Sequence, residues 1–331
     1  MAARTVTTAS VTSSLLLAAA FSAGCSGGGN NTSSAEQGEP AGTPALSRAQ
    51  AEQVLASYSD RANQAARRFN GTALGTIEAD PQLSMDVAAL KFRRAANQRA
   101  PKVEFTPTAY YIPRLTGYPH WFASAVVSGK GKQTLQYAML FTQAREGAPW
   151  LLAAAPYSGE DVLNRVALAP DGTATPVKPG AEGLAVPPER LPQAHAALLT
   201  DGPRASGAAL LADGAKTSET YKALQQGEKT LAGRGVTLSS RFSTTPYGVY
   251  ALRTKDRGAL VWYVLKQNEA YSSSKPGALT VGGDLLGLAP ARAATTRMDT
   301  TVLVQYLATV PPKGRAAVAA MYRKAVAVHG S

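Results

Sequence analysis

The side chains that could carry out chemistry are few and scattered in this sequence. The three histidines, His120, His195 and His329, have no neighbour at the spacing of a metal-binding motif. A zinc site would therefore need ligands that converge from distant parts of the chain. Ser272 and Lys275 have the Ser-x-x-Lys spacing of acylating enzymes, but they lie in a polar stretch. An acylating serine would open an apolar helix, so this stretch favours a turn.

Two further patterns lack the residues that their chemistry needs. The pair Lys216-Thr217 has no glycine before the lysine, so the backbone cradle of a phosphate-binding loop is absent. Glu160 and Asp161 are adjacent, and adjacent side chains point apart, which favours a solvated turn. The sequence thus predicts no catalytic residue, no metal site and no cofactor, and it favours a protein that is not an enzyme.

The single cysteine has a more specific context. Residues 15–21 form an apolar run behind the charge of Arg4, and Ala23, Gly24 and Cys25 follow. The run is shorter than the roughly 20 residues of a membrane-spanning helix and has the outline of a signal peptide. Small residues before a cysteine resemble the processing site of bacterial lipoprotein precursors, which implies a signal peptide over residues 1–24 and lipidation of Cys25. The alternative is a secretory signal cleaved near Ala23, which would give a secreted protein.

The residues after Cys25 predict a tether. Residues 25–45 are rich in Gly, Ser and Asn and have no apolar periodicity, a composition that behaves as a flexible coil. With one cysteine, the exported chain forms no internal disulfide, so burial of an apolar core must stabilise it.

Residues 46–180 are predicted to form a first α+β unit. Ser47 and Gln50 have the spacing of a capping box, and apolar residues then recur at intervals of three and four up to Phe69. A second helix is predicted over residues 84–97. Strands rich in aromatic and β-branched residues are predicted over 109–112, 120–127, 135–141 and 150–155.

Residues 181–331 repeat this order. Helical segments are predicted over 191–211 and 217–231, and strands over 236–242, 247–252, 259–265 and 300–307. Two tandem, duplicated α+β units are therefore expected, each with helices packed on a curved antiparallel sheet. By analogy, each half suits a cystatin-type or nuclear-transport-factor-type unit. Residues 315–328 are predicted to form a last helix, either docked on the second sheet or lying on a membrane surface.

The whole chain resembles a known family. The cysteine motif, the Gly/Ser tether, the high Ala and Arg content and Val310-Pro311-Pro312 after a strand are shared with uncharacterised actinobacterial lipoproteins of the Streptomyces type. These carry an extracytoplasmic domain of unknown function. The resemblance implies a location on the outer face of the cytoplasmic membrane, and it transfers no catalytic residue.

The composition offers two signals about ligands. The net charge of +12 suits either a solubilising surface or contact with anionic envelope polymers, and the export signal argues against nucleic acid as a partner. Strand aromatics predict either core packing or the wall of a cavity. The candidates for such a wall are Tyr110, Trp121, Tyr137, Tyr250 and Trp262.

The sequence therefore favours a non-catalytic, lipid-anchored binding or scaffold protein of the envelope. Its partners would be the membrane, through the lipid, and anionic polymers or another envelope protein. The alternative is an envelope hydrolase whose acidic residues carry no motif. Two carboxylates that converge in a deep pocket would favour this alternative.

Overall fold

The computed structural model of the protein describes residues 42–129, 134–158, 160–277, 279–290 and 296–330. These residues belong to one compact unit. The predicted signal peptide, Cys25 and most of the predicted tether lie outside the described residues.

The first half begins with helices. Helix α1 spans Arg48–Arg67, and its capping box is confirmed: Gln50 N–H donates to Ser47 Oγ at 3.2 Å, and Ser47 N–H donates to Gln50 Oε1 at 2.8 Å. The short helix α2 spans Gly71–Leu74, and α3 spans Gln82–Ala95, close to the prediction. The first predicted helix therefore begins where its cap lies.

In the described part of this half, seven strands follow or flank these helices. They are β1 (Thr43–Pro44), β2 (Thr106–Tyr111), β3 (Arg114–Leu115), β4 (His120–Ser128), β5 (Leu135–Gln143), β6 (Leu151–Ala154) and β7 (Tyr157–Ser158). Strands β1 and β3 pair with each other, and the others join the main sheet. The predicted strands of this half correspond to β2, β4, β5 and β6.

The second half has the same order of helices before strands. Its elements are α4 (Leu191–Asp201), α5 (Ser218–Ala232), β8 (Val236–Thr244), β9 (Tyr250–Arg253), β10 (Ala259–Ser273), β11 (Arg297–Val310) and β12 (Ala317–Gly330). The predicted helical segment 191–211 ends early, as α4, because Gly202 has a φ of +85°, outside the helical range. A Cβ at this position would also lie 2.6 Å from the Tyr221 ring, so the residue must be glycine.

In the described residues, the main sheet is antiparallel, curled and ten-stranded, in the order β2-β4-β5-β7-β12-β11-β10-β8, with β6 on β5 and β9 on β10. The sheet is continuous between the halves, because β7 pairs with both β5 and β12. The fold is α+β, as expected from the sequence. Duplication of the two halves stays a prediction.

The C-terminal segment corrects the sequence analysis. The predicted helix over residues 315–328 is wrong, because β12 pairs with β11 along most of its length. Two irregularities in this pairing leave Ala319 and Val326 without a partner on β11. Each bulge interrupts the alternation of a strand, so the apolar residues fall at intervals that resemble those of a helix.

In each half, the two faces of the sheet pack against different parts of the protein. On β4, Trp121 and Ala123 pack into a cluster shared with Leu260 and Trp262 of β10, whereas Phe122 packs with residues of α1. Alternate residues of β10 pack with residues of α4. The shared cluster thus joins the two halves, and the helices of each half cover the opposite face.

Among the described residues, no helix is long and apolar enough to cross a membrane.

Candidate functional site

A cavity of about 310 Å³ lies between α1, α3 and the strands β5, β7 and β12, and we call it the α1–α3 cavity. Five aromatic side chains contribute to its wall: Tyr58, Phe105, Tyr137, Tyr157 and Tyr322. Five polar or charged side chains also line it: Asn63, Glu78, Gln82, Asp86 and Arg93. An apolar and aromatic wall with a few convergent polar groups is typical of small-molecule sites.

Glu78 is held by the backbone on either side of it. Leu152 N–H donates to Ile77 C=O at 2.9 Å, and Ala79 N–H donates to Leu152 C=O at 2.9 Å. The segment after α2 is therefore fastened to β6 around Glu78, whose relative exposure is only 2%. A carboxyl group held this firmly away from water needs compensation from its neighbours.

Asp86 receives such compensation from two elements. Gln82 lies one helical turn earlier on α3, and its Nε2 donates to Asp86 Oδ2 at 2.9 Å. From β12, the Tyr322 hydroxyl donates to Asp86 Oδ1 at 3.3 Å. Each oxygen of Asp86 therefore has a donor.

Glu78 and Asp86 are close enough for a hydrogen bond between their carboxyl groups. Burial, reinforced by the negative charge of Asp86, raises the pKa of Glu78 to about 10. Burial also raises the pKa of Asp86, and the donors Gln82 and Tyr322 partly offset this. Of the two acids, Glu78 therefore holds its proton more firmly, and Asp86 is the one that ionises first.

The two oxygens of Glu78 differ. Oε1 accepts a hydrogen bond from the Tyr58 hydroxyl at 3.2 Å. Oε2 is buried and receives no hydrogen bond from a donor of the described residues. A buried oxygen without a donor is costly in the free protein, so Oε2 is a position where a ligand donor could bind.

A buried glutamine fixes the orientation of Gln82. The Oε1 of Gln305 on β11 accepts from Ala155 N–H at 2.8 Å, so its Nε2 is the atom that donates to Gln82 Oε1 at 2.9 Å. Because Gln82 Oε1 is occupied, its Nε2 must face Asp86. The sheet thereby sets the direction of a hydrogen bond inside the cavity.

The phenols of Tyr58 and Tyr322 act as donors. Burial, followed by the nearby carboxylates, raises the pKa of both well above the usual value of a tyrosine. Both hydroxyls therefore keep their protons in the physiological range.

The structure places the predicted aromatic candidates in different surroundings. Tyr137 lines the α1–α3 cavity. Trp121 packs edge-on against Tyr250 at 5.4 Å in the shared cluster, and Trp262 Nε1 donates to Ala138 C=O at 3.1 Å. The guanidinium of Arg48 lies over the ring of Tyr110, with its Cζ atom 5.8 Å from the ring centroid.

The histidines and the Ser-x-x-Lys pattern also have structural surroundings. His195 is fully buried between the Tyr263 hydroxyl, 2.8 Å from Nδ1, and Lys216 C=O, 2.9 Å from Nε2. Burial lowers the pKa of His195 to about 4, so the neutral ring donates from Nε2 and accepts at Nδ1. His120 stacks on Tyr118. Ser272 belongs to the end of β10.

Glu78 and Asp86 were not predicted as site residues. No sequence motif joins them, because the pairing of the Glu78 segment with β6 and the packing of α3 on β12 bring them together. One signal did exist for Asp86: residues 86, 89, 90 and 93 share one face of the helix predicted over residues 84–97. An acid among inward-facing residues of a helix indicates a polar site in its packing surface.

Comparisons with known proteins match the chain to a family of unknown function and to uncharacterised lipoproteins of Streptomyces. The model of a family described as "Domain of unknown function (DUF8094)" matches residues 42–330. An uncharacterised lipoprotein of Streptomyces coelicolor is 27% identical over 264 residues, which cover 76% of each chain. An uncharacterised lipoprotein of Streptomyces avermitilis is 27% identical over 254 residues, 74% of this chain and 73% of its own. No solved structure matches.

Proposed function

The chain belongs to the family of the domain of unknown function DUF8094, and we propose that it is a non-catalytic, lipid-anchored envelope protein that binds a small organic ligand in the α1–α3 cavity. The observation that carries this proposal is the cavity itself. Its volume of about 310 Å³ is at the lower end of the usual range for ligand sites, and its polar groups converge from α1, α3 and β12.

The membrane anchor is supported by the names of the relatives and by the sequence around Cys25. Both Streptomyces relatives are named as lipoproteins, and lipoproteins are held at a membrane of the envelope. Acylation of Cys25 would place the folded unit on the outer face of the cytoplasmic membrane. Two acyl chains are enough for stable anchoring, whereas one is marginal.

The anchor is tested by the Cys25→Ala variant. It is expected to leave the membrane fraction or to accumulate as an uncleaved precursor, whereas a Ser26→Ala variant should behave like the wild type. Unchanged membrane association of the Cys25→Ala protein would exclude lipidation as its anchor.

The binding function is tested by filling the cavity. Ala62 on α1 lines it, and Ala56 lies on the exposed face of the same helix. Ala62→Trp should weaken binding of the neutral apolar dye N-phenyl-1-naphthylamine, measured by fluorescence, by about tenfold or more. Ala56→Trp should leave it unchanged. If both variants bind the dye like the wild type, the cavity is not a ligand site.

A hydrolase is the second candidate, favoured by the two adjacent carboxyl groups. Such a pair can act as acid and base. Binding is preferred because Tyr58, Tyr322 and Gln82, which would stabilise a developing oxyanion, already donate to the two carboxyl groups. Turnover of p-nitrophenyl esters or glycosides that is lost in Glu78→Gln would establish the hydrolase. Equal background rates in both proteins would exclude it for those substrates.

A further inference from the structure

We infer that the α1–α3 cavity selects ligands that carry one positive charge, and that a protonated amine on an apolar body docks at Glu78 and Asp86. This inference rests on the proposed binding function and names its ligand class. Three observations carry it: a buried oxygen without a donor, two adjacent acidic side chains without a contacting cation, and an aromatic wall.

The first observation is the Oε2 atom of Glu78. It is buried in a side chain that is 2% exposed, and no donor of the described residues reaches it. Loss of a donor to a buried acceptor carries a penalty that a ligand N–H would remove. An ammonium group offers three donors, so it can bridge Glu78 and Asp86 without displacing Tyr58, Gln82 or Tyr322.

The second observation is the charge of the cavity. Two acidic side chains, Glu78 and Asp86, line the cavity next to each other, and Asp86 is the one that ionises first. The facing groups on α1, β5, β7 and β12 are tyrosines, which are neutral: Tyr58, Tyr137, Tyr157 and Tyr322. A buried negative charge without a contacting cation favours a ligand that supplies one.

Two cationic side chains of the protein lie nearby without contacting the pair. Arg93 lines the cavity but lies seven residues beyond Asp86 on α3, which is about 10 Å along the helix axis. Lys324 on β12 is placed over the Phe92 ring, 5.0 Å from its centroid. The charges of Arg93 and Lys324 act on Asp86 from a distance. A cationic group of a ligand can therefore still contact the two carboxyl groups directly.

The third observation is the arrangement of the aromatic rings. Tyr157 lies 5.3 Å from Tyr137 and 5.9 Å from Tyr322, measured between ring centroids. Phe105 lies 6.2 Å from Tyr58 and 5.7 Å from Tyr137. Aromatic faces attract cations and also pack against an apolar body, so the same wall serves both parts of the ligand.

This chemistry makes binding dependent on pH. When the pH falls below the raised pKa of Asp86, the pair takes up its second proton and loses its charge. Cation binding should then be lost, whereas binding of a neutral ligand should continue.

The test compares three probes with one apolar body and different charges: phenethylamine, 2-phenylethanol and phenylacetate. Isothermal titration calorimetry at pH 7 should show that the wild type binds phenethylamine at least about tenfold more tightly than 2-phenylethanol, and that the preference disappears at low pH. Asp86→Asn keeps the size of the side chain and removes its charge, so it should weaken phenethylamine binding about thirtyfold and remove the preference for the amine over 2-phenylethanol. Asp60→Asn, an exposed acid on α1, is the matched control.

Each result decides the inference separately from the binding function. Equal affinity for the amine and the alcohol, or a preference for phenylacetate through Arg93, would overturn cation selection while the cavity remains a binding site. No binding of phenethylamine would also overturn it, and the dye experiment would then decide whether the cavity binds any ligand. The pH dependence is measured on the wild type, so the test does not depend on the folding of a variant.

Discussion

Glu78 and His195 are both buried ionisable side chains, one in each half of the chain, yet their surroundings differ. Each ring nitrogen of His195 has a hydrogen-bond partner, Tyr263 or Lys216. Glu78 has one bonded oxygen and one without a donor among the described residues, and it lies in the wall of a cavity. The pKa of each is shifted by burial. A shifted pKa alone therefore does not mark a functional site, and the feature that distinguishes Glu78 is a buried oxygen without a donor in a residue that lines a cavity.

The largest effect is expected from His195. Replacement by Ala removes a fully buried ring and leaves the Tyr263 hydroxyl and Lys216 C=O without their partner. The free energy of unfolding should fall by about 4 kcal/mol in urea denaturation. His120→Ala, which removes a ring stacked on the exposed Tyr118, should cost about 1 kcal/mol or less. Equal losses would show that the His195 cluster is not structural.

Glu78 should instead control how stability varies with pH. Its pKa is about 10 in the folded protein and about 4.3 in the unfolded chain. Between these values the folded state binds one proton more than the unfolded state. The contribution of Glu78 to stability is therefore complete below its unfolded pKa and is lost as the pH rises towards its folded pKa. From pH 7 to pH 9 the free energy of unfolding should fall by about 3 kcal/mol.

In Glu78→Gln this fall should be absent, because the amide does not titrate and can still donate to Asp86. Glu182→Gln, which changes an exposed acid, should keep the slope of the wild type. The range from pH 7 to pH 9 lies above the titration of His195. The lowered pKa of His195 contributes stability that is lost only as the pH falls from about 6.5 towards 4. The same slope in both variants would show that Glu78 is not the group that titrates.

The elements of the fold were largely predictable because their signals are local. Ser47 and Gln50 mark the start of α1, and aromatic and β-branched residues mark β4 and β10. The exception is β12, where two bulges disturb the alternation and pairing with β11 decides the conformation. Tertiary pairing of this kind overrides a local pattern.

The site was less predictable than the fold. Of the candidate aromatics, Tyr137 lies in the α1–α3 cavity, whereas Trp121 and Trp262 belong to the shared cluster. The sequence identifies which strand residues are aromatic, but the face of the sheet on which a cavity lies depends on how the helices cover it. The Glu78–Asp86 pair depends on contacts between segments that have no common motif.

The smallest effect is expected at the helix ends of the two halves. Helix α1 begins with a capping box, whereas α4 has Arg190 at its N-cap position and no side-chain cap. Ser47→Ala should therefore lower the free energy of unfolding by about 1 kcal/mol, and Arg190→Ala, the matched change at the start of α4, should have no capping effect.

The same variant separates the stability of α1 from the cavity that it helps to form. Ser47 lies 11 residues before Tyr58, three helical turns from the cavity wall, so fraying of the first turn should not move Tyr58. Binding of N-phenyl-1-naphthylamine by Ser47→Ala should equal that of the wild type at a temperature where both proteins are folded. A loss of dye binding together with the loss of stability would mean that the whole of α1, rather than its first turn, responds to the cap. The cavity would then depend on the helix end, and the distinction between structural and ligand-binding positions in this half would fail.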